Sequence, residues 1–239
     1  MESLEDIKHA LKQLSTDERD VIASWLQDQG ANADCSHRVE EPPRAYARAE
    51  PPLPAVDELM TLEEYMEFEE QSSSRHEYVN GVVHAMSGAS VAHVRITGEL
   101  FFAFKGHLQG SPCEPFVPDV MLLIRSKTDE LVYHPDLVVA CNREEWGKNY
   151  LCNPKLVIEV LSALTKHIDR REKAMNYRRI DSIEEYVLLE QDKHQVIVHR
   201  RAENWKPHLY TGPQAIAEFR CIDLSVPLER VYRGTLPAA

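Results

Sequence analysis

The chain predicts a mixed α/β protein of the α+β kind, a mixed β-sheet flanked by helices. Three observations predict it: helix-period and strand-period segments succeed one another, in the order helix, hairpin, helix, strands, helix, strands; the strand runs are short and bounded by turn residues; and no internal repeat organises them. At 239 residues the chain is long enough for one good-sized domain and an appendage.

The appendage comes first. Leu4, Ile7, Leu11 and Leu14 recur at spacings of three and four, as one buried helix face requires. Ser15 to Glu18 then offer a cap, and Val21, Ile22, Trp25 and Leu26 mark a second stripe, so residues 1–29 read as a helical hairpin. Residues 30–56 hold Pro42, Pro43, Pro51, Pro52 and Pro54 among Glu and Arg with almost no large apolar side chain. Such a stretch cannot offset its ordering entropy and reads as a Pro-rich linker. A compact domain is expected over 57–239. Thr61 with Glu64 forms a capping box for a short helix, and Asn80-Gly81 in HEYVNGVVHAM signals a hairpin turn. Residues 90–109 are helical, with Val91, Val94, Ile96, Leu100, Phe101 and Phe104 as the apolar surface. EPFVPDVMLLI and LVYHPDLVVAC follow as strands around a Ser126–Glu130 turn, then the strand LVIEVLS, a charged helix from about Asp169 to Ile180, and the strands EEYVLLEQ and QVIVHRR. PLERVY in the tail packs a last strand or short helix.

Composition narrows the function. No run approaches the ~18–20 apolar residues of a membrane helix, and the acidic, amphipathic N-terminus lacks the features of a signal peptide, so a cytoplasmic location with no membrane role is expected. Five widely spaced cysteines without a CxxC predict neither a disulfide framework nor a structural zinc site. A net charge of −12 excludes a general nucleic-acid coat, because phosphate affinity comes from Lys and Arg. Any role on DNA must rest on a local basic island.

Two acids stand out by their neighbours. Asp136 in HPDLVVA and Glu159 in LVIEVLS both read as strand residues among Val, Leu and Ile, where a lone ionised carboxylate costs several kcal/mol unless paired or metal-bound. Alternation sets Glu159 on the side of Val157 and Leu161, opposite Ile158 and Val160. Carboxylates on neighbouring strands would suit Mg²⁺; equally, each would suit an arginine on a facing helix or a strand end in water. Downstream, Asp169, Lys173 and Tyr177 share one helix face at intervals of four. Lys166, Arg170, Arg171, Lys173, Arg178 and Arg179 there are opposed only by Asp169 and Glu172, which supplies the basic island.

HEYVNGVVHAMSG, His93-x-Arg95-Ile96, YHPDLVV, NPKLVIEVLS, the D-x-x-x-K-x-x-x-Y helix and EEYVLLEQD together resemble the Uma-two family of restriction-endonuclease-like proteins, a branch of the PD-(D/E)xK nuclease superfamily. The match covers roughly residues 58–233, most of the chain. The resemblance implies a restriction-endonuclease-like fold and a Mg²⁺-dependent endonuclease acting on DNA, with Mn²⁺ able to substitute. Asp136 and Glu159 would bind the metal. Glu77 would be a further ligand or a water-orienting base, and Tyr177, Arg170 and Arg178 would position the strand. The superfamily lysine, expected two residues after Glu159, is Leu161 here, so Lys173 on the following helix would supply the ammonium. Asp119 aligns with another recurrent acid. Symmetric cutting of a duplex would call for a homodimer, and the N-terminal helices would offer a partner contact. The alternative is an inactive nuclease-fold module that binds DNA or a protein, with Leu161 the mark of lost catalysis.

Overall fold

The structure, a computed structural model, describes residues 59–162 and 166–235. The helical hairpin expected over 1–29, the linker expected over 30–56 and residues 163–165 lie outside the described residues.

Helix α1 (Leu62–Gln71) begins at the expected capping box: the Thr61 side chain accepts from the Glu64 amide, and the Glu64 carboxylate accepts from the Thr61 amide. Strands β1 (His76–Val79) and β2 (Val82–Ala85) form the expected hairpin. Its turn places Asn80 and Gly81 at φ 48° and 98°, the left-handed pair that matches strand twist. Helix α2 (Val91–His107) is capped by Ser90. It buries Ile96, Leu100 and Phe104 completely, but leaves Val91 77% and Val94 59% exposed, so the expected apolar face is narrower than its sequence.

The two long strand runs each break at their Pro-Asp. EPFVPDVMLLI becomes β3 (Glu114–Phe116) and β4 (Met121–Arg125), and Asp119 between them takes φ 111°. LVYHPDLVVAC becomes β5 (Glu130–Tyr133) and β6 (Leu137–Ala140). In each run the first and second halves enter different sheets, since proline cannot donate to a continuous ladder. With β7 (Tyr150–Leu151), β8 (Leu156–Leu161), β9 (Glu185–Glu190), β10 (Gln195–Arg200) and β11 (Pro207–Thr211), the result is two mixed sheets instead of one. They are ordered β2-β1-β5-β4-β7 and β11-β10-β9-β8-β6-β3. A separate hairpin, β12 (Ile216–Phe219) and β13 (Leu224–Pro227), leads into a last short helix, α5 (Leu228–Val231).

Between β8 and β9 the charged segment is a composite helix: one turn α3 (Lys166–Ile168), a π-helical stretch over Asp169–Lys173, then α4 (Ala174–Arg178). β8 is the central strand, parallel to β9 and antiparallel to β6. Its alternation follows the sequence. Leu156, Ile158 and Val160 face a core shared with α2 and the terminal hairpin, while Val157 and Leu161 face a second core with β5, Ala174, Tyr177 and Ile180. Glu159 therefore points between the central strand and the composite helix. The β3–β6 register pairs Glu114 with Ala140, which brings the flanking Cys113 and Cys141 together as a disulfide. This corrects the cysteine reading: 28 positions of separation conceal what pairing makes adjacent. Among the described residues no helix is long and apolar enough to cross a membrane.

Candidate active site

Strand pairing assembles the acids. β6 and β8 align Leu137 with Ile158, so one step further along the antiparallel register sets Asp136 beside Glu159. Asp136 is not within a strand, as the sequence suggested, but in the bend just before β6, where a carboxylate is free to leave the ladder. Both of its oxygens are engaged: Oδ2 accepts the Val160 backbone N–H at 2.7 Å, and Oδ1 lies 2.8 Å from His93 Nε2 on α2.

Glu159 is 4% exposed. Its Oε1 accepts from the Tyr177 hydroxyl at 2.9 Å and lies 3.3 Å from Lys173 Nζ. The ammonium also contacts Glu77 Oε1 at 2.7 Å from β1 and Asp169 Oδ1 at 3.3 Å from the composite helix. Tyr133 sets its ring 5.4 Å from the ammonium, and the Tyr186 hydroxyl ties down the Asp169 carbonyl at 2.8 Å. The π-helical stretch ends at Lys173, and widened turns of this kind recur where a helix must re-aim a side chain.

The charges do not balance. Three carboxylates (Glu77, Glu159 and Asp169) meet one ammonium, and Asp136, held by His93, adds its field at Glu159. Burial, with the fields of Asp136, Asp169 and Glu77, pushes the Glu159 carboxyl well above its ordinary range despite Lys173. Burial alone would lower Lys173, but Glu159, Glu77 and Asp169 outweigh it and hold the ammonium charged. An excess of hard oxygen donors around a buried carboxylate fits a divalent cation. No three His, Cys, Asp or Glu side chains among the described residues form a complete metal cage. A pair of carboxylates with water or phosphate oxygens is a common way to hold Mg²⁺.

The structure brings Asp136, Glu159, Lys173 and Glu77 together, from four separate elements. Tyr177, expected against substrate, is fully buried and instead orients Glu159. The basic island is smaller than its sequence: Lys173 turns inward, Arg170 pairs with Glu190, Arg179 lies 2.6 Å from Asp129, and Arg178 stacks over Trp205 at 5.7 Å. His93 and Asp169 join the site without having been assigned a role. Their signals were the His93-x-Arg95 pair and the four-residue spacing to Lys173.

Residues 62–229 match the Uma2 family, described as "Putative restriction endonuclease". An uncharacterized protein of Synechocystis sp. (strain PCC 6803) is 30% identical over 178 residues, covering 73% of this chain and 92% of that protein. A second uncharacterized protein of the same organism is 29% identical over 170 residues, 69% of this chain and 95% of its own length. A crystal structure from Anabaena variabilis, described as a putative nuclease belonging to DUF820, superposes with a TM-score of 0.57 at 16% identity over 72% of this chain and 97% of that one. At that identity the likeness concerns the fold.

Proposed function

Because this chain belongs to the Uma2 family of restriction-endonuclease-like proteins, we propose that the buried acidic cluster is the active site of a divalent-metal-dependent endonuclease that hydrolyses phosphodiester bonds of DNA. The observation that carries the reading is Glu159: a carboxylate inside the fold, beside Asp136, with too little positive charge around it. Asp136 and Glu159 would hold Mg²⁺ or Mn²⁺, which when bound supplies a polarised phosphate oxygen and a water acidic enough to attack.

The chain's own groups do the rest. The Val160 amide and His93 fix both oxygens of Asp136, so its orientation costs no reorganisation during the reaction. Tyr177 does the same for Glu159. The Lys173 ammonium, kept charged by its carboxylates, offsets negative charge as it builds on the phosphate. It stands in for the lysine that Leu161 replaces, and Leu161 itself packs into the second core. Glu77 belongs to the hairpin and is the most open of the groups that touch Lys173, at 16% side-chain exposure. It orients the attacking water and takes its proton. Arg170 and Arg178, expected to position the strand, are engaged by Glu190 and Trp205 instead.

The test is nicking of supercoiled plasmid by the purified full chain with Mg²⁺ or Mn²⁺, with calorimetry of metal binding in parallel. Wild type is expected to nick, chelator to stop it, and Asp136→Asn or Glu159→Gln to lower the rate at least about a hundredfold while the fold is kept. Undiminished nicking by Asp136→Asn would reject the assignment. Metal-independent binding of DNA without cleavage would favour the inactive-module alternative.

A further inference from the structure

Gln191 stands in EEYVLLEQD, one of the motifs behind the family resemblance, and has no part in the chemistry described so far. It is the first residue after β9, and the parallel ladder of β8 and β9 ends beside it, at the pair Leu161 and Glu190. Its side chain carries on where the ladder stops. The amide Nε2 donates to the Leu161 carbonyl at 2.9 Å, and Oε1 accepts from the Ser90 hydroxyl, 101 positions away in sequence. Ser90 is the N-cap of α2, and the same hydroxyl oxygen accepts the His93 backbone N–H at 3.1 Å.

These bonds close a ring. From Leu161 it runs through Gln191 and Ser90 to His93, whose imidazole meets Asp136 Oδ1 at 2.8 Å. Asp136 Oδ2 accepts the Val160 amide at 2.7 Å, and Val160 adjoins Leu161 in β8. Both acids assigned to the metal depend on this ring. Glu159 precedes Val160 on the strand that the Gln191 amide holds. Asp136 is gripped on one side by that strand and on the other by the first turn of α2, whose start Ser90 sets. The residue type suits the task. A primary amide offers a donor and an acceptor together, whereas a glutamate could not donate to the carbonyl and an asparagine is one methylene shorter.

We propose that Gln191, through Ser90, is a positioning residue that fixes Asp136 against Glu159 for a divalent cation, a role that rests on the nuclease reading of that pair. Groups one bond behind the metal ligands typically change metal affinity by about 10–100-fold when removed, because a ligand left loose must be ordered anew each time the ion binds.

The experiment is calorimetric titration of the full chain with Mn²⁺ and with Mg²⁺, without DNA, beside plasmid nicking measured against metal concentration. Gln191→Leu, which keeps the bulk of the side chain and removes both bonds, is expected to weaken metal binding about tenfold. The metal concentration for half-maximal nicking is expected to rise by the same factor, with KM for plasmid unchanged. Ser90→Gly, which loses the hydroxyl but still serves as an N-cap, is expected to weaken metal binding about as much, and Ser90→Thr, which keeps the hydroxyl, to bind as wild type does. Because the two residues act in one ring, the double variant is expected to be no weaker than either single one. The proposal is overturned if Gln191→Leu and Ser90→Gly lower only the melting temperature and leave metal affinity unmoved. It is equally overturned if the double variant loses the product of the two factors, or if KM for plasmid rises while metal affinity stays. Metal binding weakened as expected in a protein that never nicks would leave the ring standing and remove the nuclease reading; nicking by wild type with metal affinity unmoved by either variant would do the reverse. Wild type that binds neither ion would overturn both.

Discussion

Lys173 and Glu159 show how far single residues can act in opposite directions. The ammonium is buried among Glu77, Glu159 and Asp169, so removing it leaves acids facing one another without a counter-charge. Lys173→Met is expected to lower stability by about 3–5 kcal/mol, read by urea denaturation. Glu159→Gln removes one of the surplus charges whose ionised form the folded state disfavours, and Lys173 keeps two partners. In chelator-treated protein this variant is expected to raise the melting temperature by a few degrees even as nicking is lost. The double variant is expected to be less destabilised than the sum of the single changes, a coupling a mutant cycle measures directly. A stabilised but inactive Glu159 variant is the pattern expected of a site where charge is held against stability for use.

At the scale of elements, local chemistry and tertiary demand agree in some places and part in others. The β1–β2 turn needs Gly81 at φ 98°, and a Cβ there would also stand 3.1 Å from the Leu59 side chain. Gly81→Ala is therefore expected to cost about 1–2 kcal/mol, beyond the ~0.4–1 kcal/mol that entropy alone moves, as a shift in denaturation midpoint. The capping box of α1, the hairpin and the alternation of β8 were all legible, because each is decided within a few residues. The broken strands were not. A run such as LVYHPDLVVAC has strand chemistry throughout, and only the partners available to β5 and β6 send its halves to different sheets. The π-helical stretch was equally hidden: the spacing Asp169–Lys173–Tyr177 suggests a common face, but the distances that bring Lys173 to Glu159 depend on how the helix packs.

For the molecule as a whole, two long-range ties bear on conditions. Burial alone would raise the Glu69 carboxyl, but nearby His134 and the hydrogen bonds from the His76 ring and backbone hold it below its ordinary 4.5. A carboxyl lowered on folding contributes stability above its unfolded value and loses it as pH falls through the folded one. The melting temperature is expected to drop from about pH 5 to pH 3, and Glu69→Gln to flatten that part of the profile. The Cys113–Cys141 bridge closes a loop across 28 positions, worth about 3–4 kcal/mol by loop entropy. Reductant is expected to lower the melting temperature, and the Cys141→Ser variant to be insensitive to it.

The candidate site divides along the same line. Sequence alone determined the acids that apolar neighbours make conspicuous, the lysine four residues after Asp169, and the ordered motifs that identify the family. Those are facts of spacing and local environment. Tertiary structure decided that Tyr177 lies beneath the site, that His93 and the Val160 amide grip Asp136, that two distant cysteines meet, and that Gln191 joins the end of β8 to the cap of α2. None of these has a local cause: each depends on which strands pair and which helix packs on them, and long-range geometry leaves no periodicity to read.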